Sequence, residues 1–189
     1  MDKTRCGWCK NDPLYVAYHD TEWGVPVYED DKLFEFLILE TFQAGLSWIT
    51  ILRKRENFRI AFDNFDYQKI ANYSEAKYEE LLLDTGIIRN KLKIKATITN
   101  AILFMEIQEE FGSFSNYIWG FTKGKPIKNI RKNLSELPAT TELSDIISKD
   151  LKKRGFKFVG STVIYAHMQA TGMINDHVIE CFRYHEVSY

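Results

Sequence analysis

Apolar positions recur at helical spacing along most of this chain. In "DDKLFEFLILETFQAG", Leu33, Phe34, Leu37, Ile38 and Phe42 follow a 3.6-residue period behind an acidic first turn, and Gly45 offers a stop. "LSWITILRKRENFRIAFDNF" places Ile51, Leu52, Phe58 and Phe62 on one stripe, with Ser47 as a candidate N-cap. "SEAKYEELLLDTG" opens at Ser74, with Lys77 where a capping box has Glu, and closes at Gly86. A long helix is predicted over about 90–111, with Ile94, Ile98, Ala101, Ile102 and Met105 inward. Two more are predicted over about 143–154 and 161–171, joined by "GFKFVG". Gly, Pro, Lys and Asn over 121–141 predict an exposed loop. Strand alternation is scarce and no repeat or linker is evident, so the fold class is all-α and the expected organisation is one domain over 1–189.

Composition is that of an ordinary globular protein, 45% hydrophobic and 27% charged. No apolar run reaches 18 residues, and the first residues lack the apolar segment of a signal peptide, so the cytoplasm is the expected location and no membrane partner is expected. The net charge of −1 hides an asymmetry. Residues 1–88 balance at −6 and residues 89–189 at +5, the excess lying in "IIRNKLKIKA", "TKGKPIKNIRKN" and "KDLKKRGFKF". Runs of charge are usually solvated faces, yet these allow a local footprint for phosphate.

Soft-metal ligands avoid the middle of the chain. Cys6, Cys9 and His19 lie near the start, His167, His177, Cys181 and His185 near the end, with no Cys or His between. That distribution suits a clamp joining the termini. His177 and Cys181 are four apart, so on a helix both would project from one face. The preferred tetrahedral set is Cys6, His19, His177 and Cys181, a structural zinc site over about 5–20 and 175–183. The C-x2-C of Cys6 and Cys9 offers a competing set with His177 and Cys181, and buried thiols with satisfied imidazoles are the metal-free alternative. Three cysteines do not suggest a disulfide framework.

Two further features carry chemistry. "SKDLKKRG" is a basic helix followed by a link holding Gly155 and Gly160 and a second helix from Ser161. Two glycines let the backbone approach a phosphate, and the second helix offers free N–H groups there. This is the design of a helix-hairpin-helix that grips DNA backbone without reading bases, flanked by Lys152, Lys153, Arg154 and Lys157. Any αα-hairpin can carry glycine in its link, which is the plainer alternative. The second feature is an aromatic group, Trp8, Tyr15, Tyr18, Trp23 and Trp48, with Glu40 embedded in an apolar run beside Phe36 and Leu37. Such aromatics are ordinarily core. A buried carboxylate among them, however, is what a pocket for a flat, cationic, hydrogen-bond-donating ligand needs, and a modified purine fits.

The blocks "RCGW", "DPLYVAYHDTEWGVP", "LFEFLILETFQAGLSWITILRKRENFRIAFDNFD", "GIIRNKLKI" and "LKKRGFKFVGSTVIYAHMQATGMINDHV" resemble the 3-methyladenine DNA glycosylase I family, in order, from about residue 5 to 181. The resemblance implies a helix-hairpin-helix glycosylase fold with the hairpin over about 143–171. It also implies a zinc site drawn from Cys6, His19, His177 and Cys181, leaving Cys9 out. The family's base pocket falls on Trp8, Tyr15, Tyr18, Trp23, Glu40 and Trp48, with Glu40 the residue of catalytic interest. Lys153, Lys157, Gly155, Gly160 and Ser161 are the expected contacts to DNA backbone. Relatives in the wider superfamily carry an Asp where Asn175 stands here, and bifunctional ones a Lys near Gly160-Ser161-Thr162. A monofunctional enzyme is therefore expected, and the size of the chain together with the resemblance implies a monomer.

The implied activity is hydrolysis of the N-glycosidic bond of 3-methyladenine in alkylated double-stranded DNA, with the lesion flipped out of the helix. The alternative from another class is a zinc-stabilised module that recognises damage without excising it, and a helical scaffold without DNA affinity is the third.

Overall fold

Ten consecutive residues, Leu33 to Phe42, are all buried in helix α2 (Asp30–Gln43), which therefore runs through the core and not over its surface. The computed structural model describes residues 3–187; residues 1, 2, 188 and 189 of the expected 1–189 domain lie outside it. Around α2 pack α3 (Trp48–Ala61), α6 (Lys91–Phe111), α7 (Phe114–Gly120) and α9 (Ser161–Ala170). Short helices α4 (Tyr67–Ile70) and α5 (Glu75–Leu83) brace α6, and α1 (Pro13–Thr21) lies against α3. The described chain is mostly helical, in agreement with the sequence pattern.

Local chemistry explains the boundaries. Asp12 caps α1 by accepting from Leu14 and Tyr15 amides, with Pro13 at the first helical position. Asn90 caps α6 in the same way, and Gly112, at φ +82°, ends it in the left-handed region. Thr141 and Ser144 form a reciprocal capping box at the start of α8 (Glu142–Lys153). Ser74 accepts from the Lys77 amide as expected, whereas Ser47 holds the N-cap place of α3 but pairs with the Thr50 hydroxyl instead of a backbone amide. Helix α5 stops at Leu83, and the Gly86 amide donates to Asp84.

Three expectations are corrected. On α6, Ile102 is 43% exposed, and Phe104 and Ile107 take the inward positions with Ile94 and Ala101. The 121–141 segment is largely exposed but includes strand β1 (Ile127–Lys128), which pairs in parallel with β2 (Ile174–Asn175). His177 and Cys181 are not on a helix; they flank a turn between β2 and the short α10 (Arg183–Glu186). Gly172 makes this return possible. It sits at φ +68°, and a Cβ there would lie 2.3 Å from the Val25 carbonyl carbon.

Candidate active site and metal cluster

The turn after β2 brings the two ends of the chain together. Cys6, His19, His177 and Cys181 are all buried, and their ligand atoms lie within 4.8 Å of one another. The Cys6 and Cys181 sulfurs each stand 3.5 Å from His177 Nδ1, and Cys181 Sγ is 3.4 Å from His19 Nε2. A zinc tetrahedron with bonds near 2.3 Å to sulfur and 2.05 Å to nitrogen has S···N edges of about 3.6 Å, so the spacing suits such an ion. Outer partners settle which nitrogens face inward. His177 Nε2 donates to the Trp23 carbonyl (3.1 Å) and His19 Nδ1 to Asp20 (2.8 Å), leaving His177 Nδ1 and His19 Nε2 as lone-pair donors. Burial opposes the Asp20 charge, but the Arg5 and His19 hydrogen bonds outweigh it and hold its carboxyl below the usual range. Cys9 turns away and donates to the Cys6 carbonyl (3.1 Å), His167 bonds to the Leu33 carbonyl, and His185 is exposed. The cluster is thus a buried Cys2His2 set able to hold a metal, drawn from the preferred four residues.

This cluster backs directly onto a cavity. Trp23 packs on His177 at 4.6 Å between ring centroids, and Trp8 on His19 at 5.2 Å. On their other side Trp8, Tyr15, Tyr18, Trp23, Glu40 and Trp48 surround a space of about 180 Å³, room for one flat heterocycle. Every residue expected in the pocket lines it. Tyr18 and Trp48 stand 5.5 Å apart and inclined by 50°, while Trp8 meets Tyr15 at 4.8 Å and Trp23 at 5.0 Å.

Glu40 is 4% exposed, and its Oε2 has no hydrogen-bond partner. The indole N–H groups of Trp8 and Trp48 are equally unpartnered. Burial pushes the Glu40 carboxyl up to about 8. Among the described residues no basic group pairs with it, so its charge is not offset inside the core. Unpaired buried polar atoms are costly, and three of them on residues that line one cavity point to a site shaped for a polar guest.

Sequence reasoning missed four of the lining residues: Gln43, Leu137, Ala166 and Gln169. Gln43 lies one turn beyond Glu40, and Ala166 and Gln169 are three apart on α9, so helical spacing could have found them once the pocket's direction was known. Leu137 comes from the loop and carries no such signal. Asn175 does not reach the cavity; its side chain donates to the Tyr184 carbonyl and accepts from the His177 amide. Among the described residues Glu40 is the one carboxylate lining the cavity, and no Lys lines it.

The hairpin between α8 and α9 has the expected form. Gly155 sits at φ +103°, and a Cβ on Gly160 would meet nothing within 4 Å, so the backbone there is open to a ligand. No side chain caps α9, leaving the N–H groups from Ser161 onward facing outward. Lys153 and Lys157 are exposed. The Lys157 backbone is pinned by Asn100, which accepts from its amide (2.8 Å) and donates to its carbonyl (3.0 Å). Arg154 departs from the expectation of a free basic flank: it binds Asp150 and Glu110 and lies over Phe111 and Tyr117.

Comparison with known proteins agrees with this architecture. The methyladenine glycosylase family pattern matches residues 8–184. The chain is 51% identical to the DNA-3-methyladenine glycosylase 1 of Escherichia coli K12 over 180 residues, covering 95% of this chain and 96% of that one. A crystal structure of a 3-methyladenine DNA glycosylase I superposes with a TM-score of 0.92 at 50% identity, over 95% of this chain and 98% of the other. The Staphylococcus aureus enzyme, in a structure described as the basis of 3-methyladenine recognition, superposes with a TM-score of 0.91 at 34% identity, over 94% and 95%. This chain belongs to the methyladenine glycosylase family.

Proposed function

We propose that this protein hydrolyses the N-glycosidic bond of 3-methyladenine in alkylated double-stranded DNA. The observation that carries the reading is the partnerless carboxyl of Glu40 in an aromatic cavity. A base alkylated at N3 is cationic, so it is a good leaving group and the enzyme's work is selection, orientation and admission of water. On this reading Trp48 and Tyr18 pack against the flipped ring, and Trp8, Tyr15 and Trp23 close the remaining sides. Glu40 accepts from the amino edge of the purine, and the cation it receives favours its ionised form, opposing the effect of burial. Water adds to the sugar C1′, the bond to the base breaks with its electron pair passing to the purine, and the water proton leaves to solvent. No lyase step follows, because no Lys is available at the cavity.

The whole chain acts as one glycosylase domain. Lys153, Lys157, Gly155, Gly160 and Ser161 hold the DNA backbone through charge and open N–H groups. The Cys2His2 set would hold Zn²⁺ through Cys6, His19, His177 and Cys181 in a structural role, since it faces the back of the aromatic wall, away from the cavity. Bound zinc would fix the N-terminal turn, α1 and the segment after β2 to one another. The enzyme works in the cytoplasm as a monomer.

Release of free 3-methyladenine from methylated duplex DNA tests the reading. Stoichiometric enzyme should free the base with single-turnover kinetics and leave the strand uncut. Tight binding to the lesion without release would instead mark a damage-recognition module.

A further inference from the structure

Gln169 lines the cavity from α9, and its side chain is held from behind by a buried carboxylate. Asp176 is 1% exposed and accepts from four donors: Tyr165 Oη (2.5 Å), Asn129 Nδ2 (2.8 Å), Gln169 Nε2 (2.9 Å) and Arg131 Nε (3.3 Å). A carboxylate so surrounded only accepts, so the amide of Gln169 must turn its NH2 towards Asp176. Its carbonyl oxygen is thereby left without a partner among the described residues, on a side chain that lines the cavity. The helix itself is fixed at the same point, since the Gln169 backbone carbonyl accepts from Gly24 (3.1 Å).

The wall that Gln169 occupies has a particular relation to DNA. Helix α9 begins at Ser161 in the hairpin link, and Gln169 lies eight residues further on, about 12 Å along its axis. Glu40, Trp48 and the other aromatics lie on α2, α3 and the N-terminal elements, so of the two hairpin helices it is α9, through Ala166 and Gln169, that reaches the cavity. A nucleotide held by its backbone at the hairpin, with its base at Glu40, would have its sugar near this wall.

We propose that Gln169 is a catalytic residue whose oriented carbonyl oxygen faces the deoxyribose of the flipped nucleotide, and that Asp176 is the positioning residue that orients it. This rests on the glycosylase reading above. As the bond to the base breaks, positive charge grows on the sugar ring, and a fixed acceptor dipole stabilises it more than it stabilises the ground state. The amide of Gln169 does not itself gain or lose a proton. The network also gives the buried ionisable group a task although it does not line the cavity: a neutral partner at position 176 would let the Gln169 amide turn over and present its NH2, a donor, to the developing cation.

The test combines two readouts on Gln169→Leu, Asp176→Asn and Tyr165→Phe: single-turnover excision of 3-methyladenine from a duplex, and binding of free 3-methyladenine followed by tryptophan emission. Gln169→Leu should slow excision by about 10- to 100-fold while free-base affinity stays at the wild-type value, because the free base has no sugar. Asp176→Asn should slow excision too, with no added loss in the double variant. Tyr165→Phe removes another donor from Asp176 without freeing Gln169, so it should lower thermal stability but leave excision intact. Gln169→Leu at the wild-type rate, an equal loss of free-base affinity, or Tyr165→Phe as slow as Asp176→Asn would overturn the proposal. Wild-type protein that releases no base would instead overturn the glycosylase reading.

Discussion

Two glutamates five positions apart on α2 meet opposite fates. Glu35 turns towards α3, where Arg55 (2.8 Å) and Arg59 (2.7 Å) hold it. Burial opposes its charge, but the two guanidiniums outweigh it and keep the carboxyl below the usual range. Glu40 has no such partner, and burial alone takes it from about 4.5 to about 8. The sign of the consequence follows. A raised value in the folded state means that folding retains a proton between those limits, so stability is greatest below about 4.5 and falls as pH rises to about 8, by at most roughly 1.4 kcal/mol per unit. Glu40→Gln should abolish that slope, which thermal unfolding from pH 5 to 8.5 checks. The sequence made Glu40 legible because an acid in an apolar run is anomalous; Gln169 was not, because glutamine on a helix is ordinary. Cys9 could not be excluded by spacing either, since only its bond to the Cys6 carbonyl shows where its thiol points. Cys6→Ser and Cys181→Ser should lose metal on elemental analysis while Cys9→Ser retains it stoichiometrically.

At the scale of elements, periodicity read the long helices well because their inward faces are wide. It failed where contacts between distant segments decide. The pair β1 and β2 forms because the loop meets the turn after α9, and His177 and Cys181 converge through that turn instead of a helical face. Nothing local in "INDHVIEC" distinguishes the two. The hairpin was legible from its glycines and lysines, except that Arg154 is taken by Glu110 and Asp150. Binding by this element should be blind to sequence and lesion. Replacing Lys153 and Lys157 by Ala should weaken damaged and undamaged duplexes about equally and reduce the salt slope by roughly one per lost phosphate contact. A selective loss of lesion recognition at constant slope would contradict a backbone grip.

For the whole molecule, the Cys2His2 cluster and the cavity form one construction. The rings of Trp8 and Trp23 stand between His19, His177 and the cavity, so the clamp on the termini also sets the aromatic wall. Removing the metal should therefore lower both the melting temperature and the affinity for free 3-methyladenine, without a change in DNA salt dependence. Chelation followed by calorimetry and fluorescence titration checks this. The central claim is that Glu40 reads the flipped base, and single-turnover excision by Glu40→Gln, measured beside its thermal unfolding, tests it most directly. Charge-assisted hydrogen bonds are about twice as strong as neutral ones, so the rate should fall roughly 10- to 100-fold while metal content is kept and the melting temperature at about neutral pH does not drop. A variant that is destabilised yet excises at the wild-type rate would contradict the account.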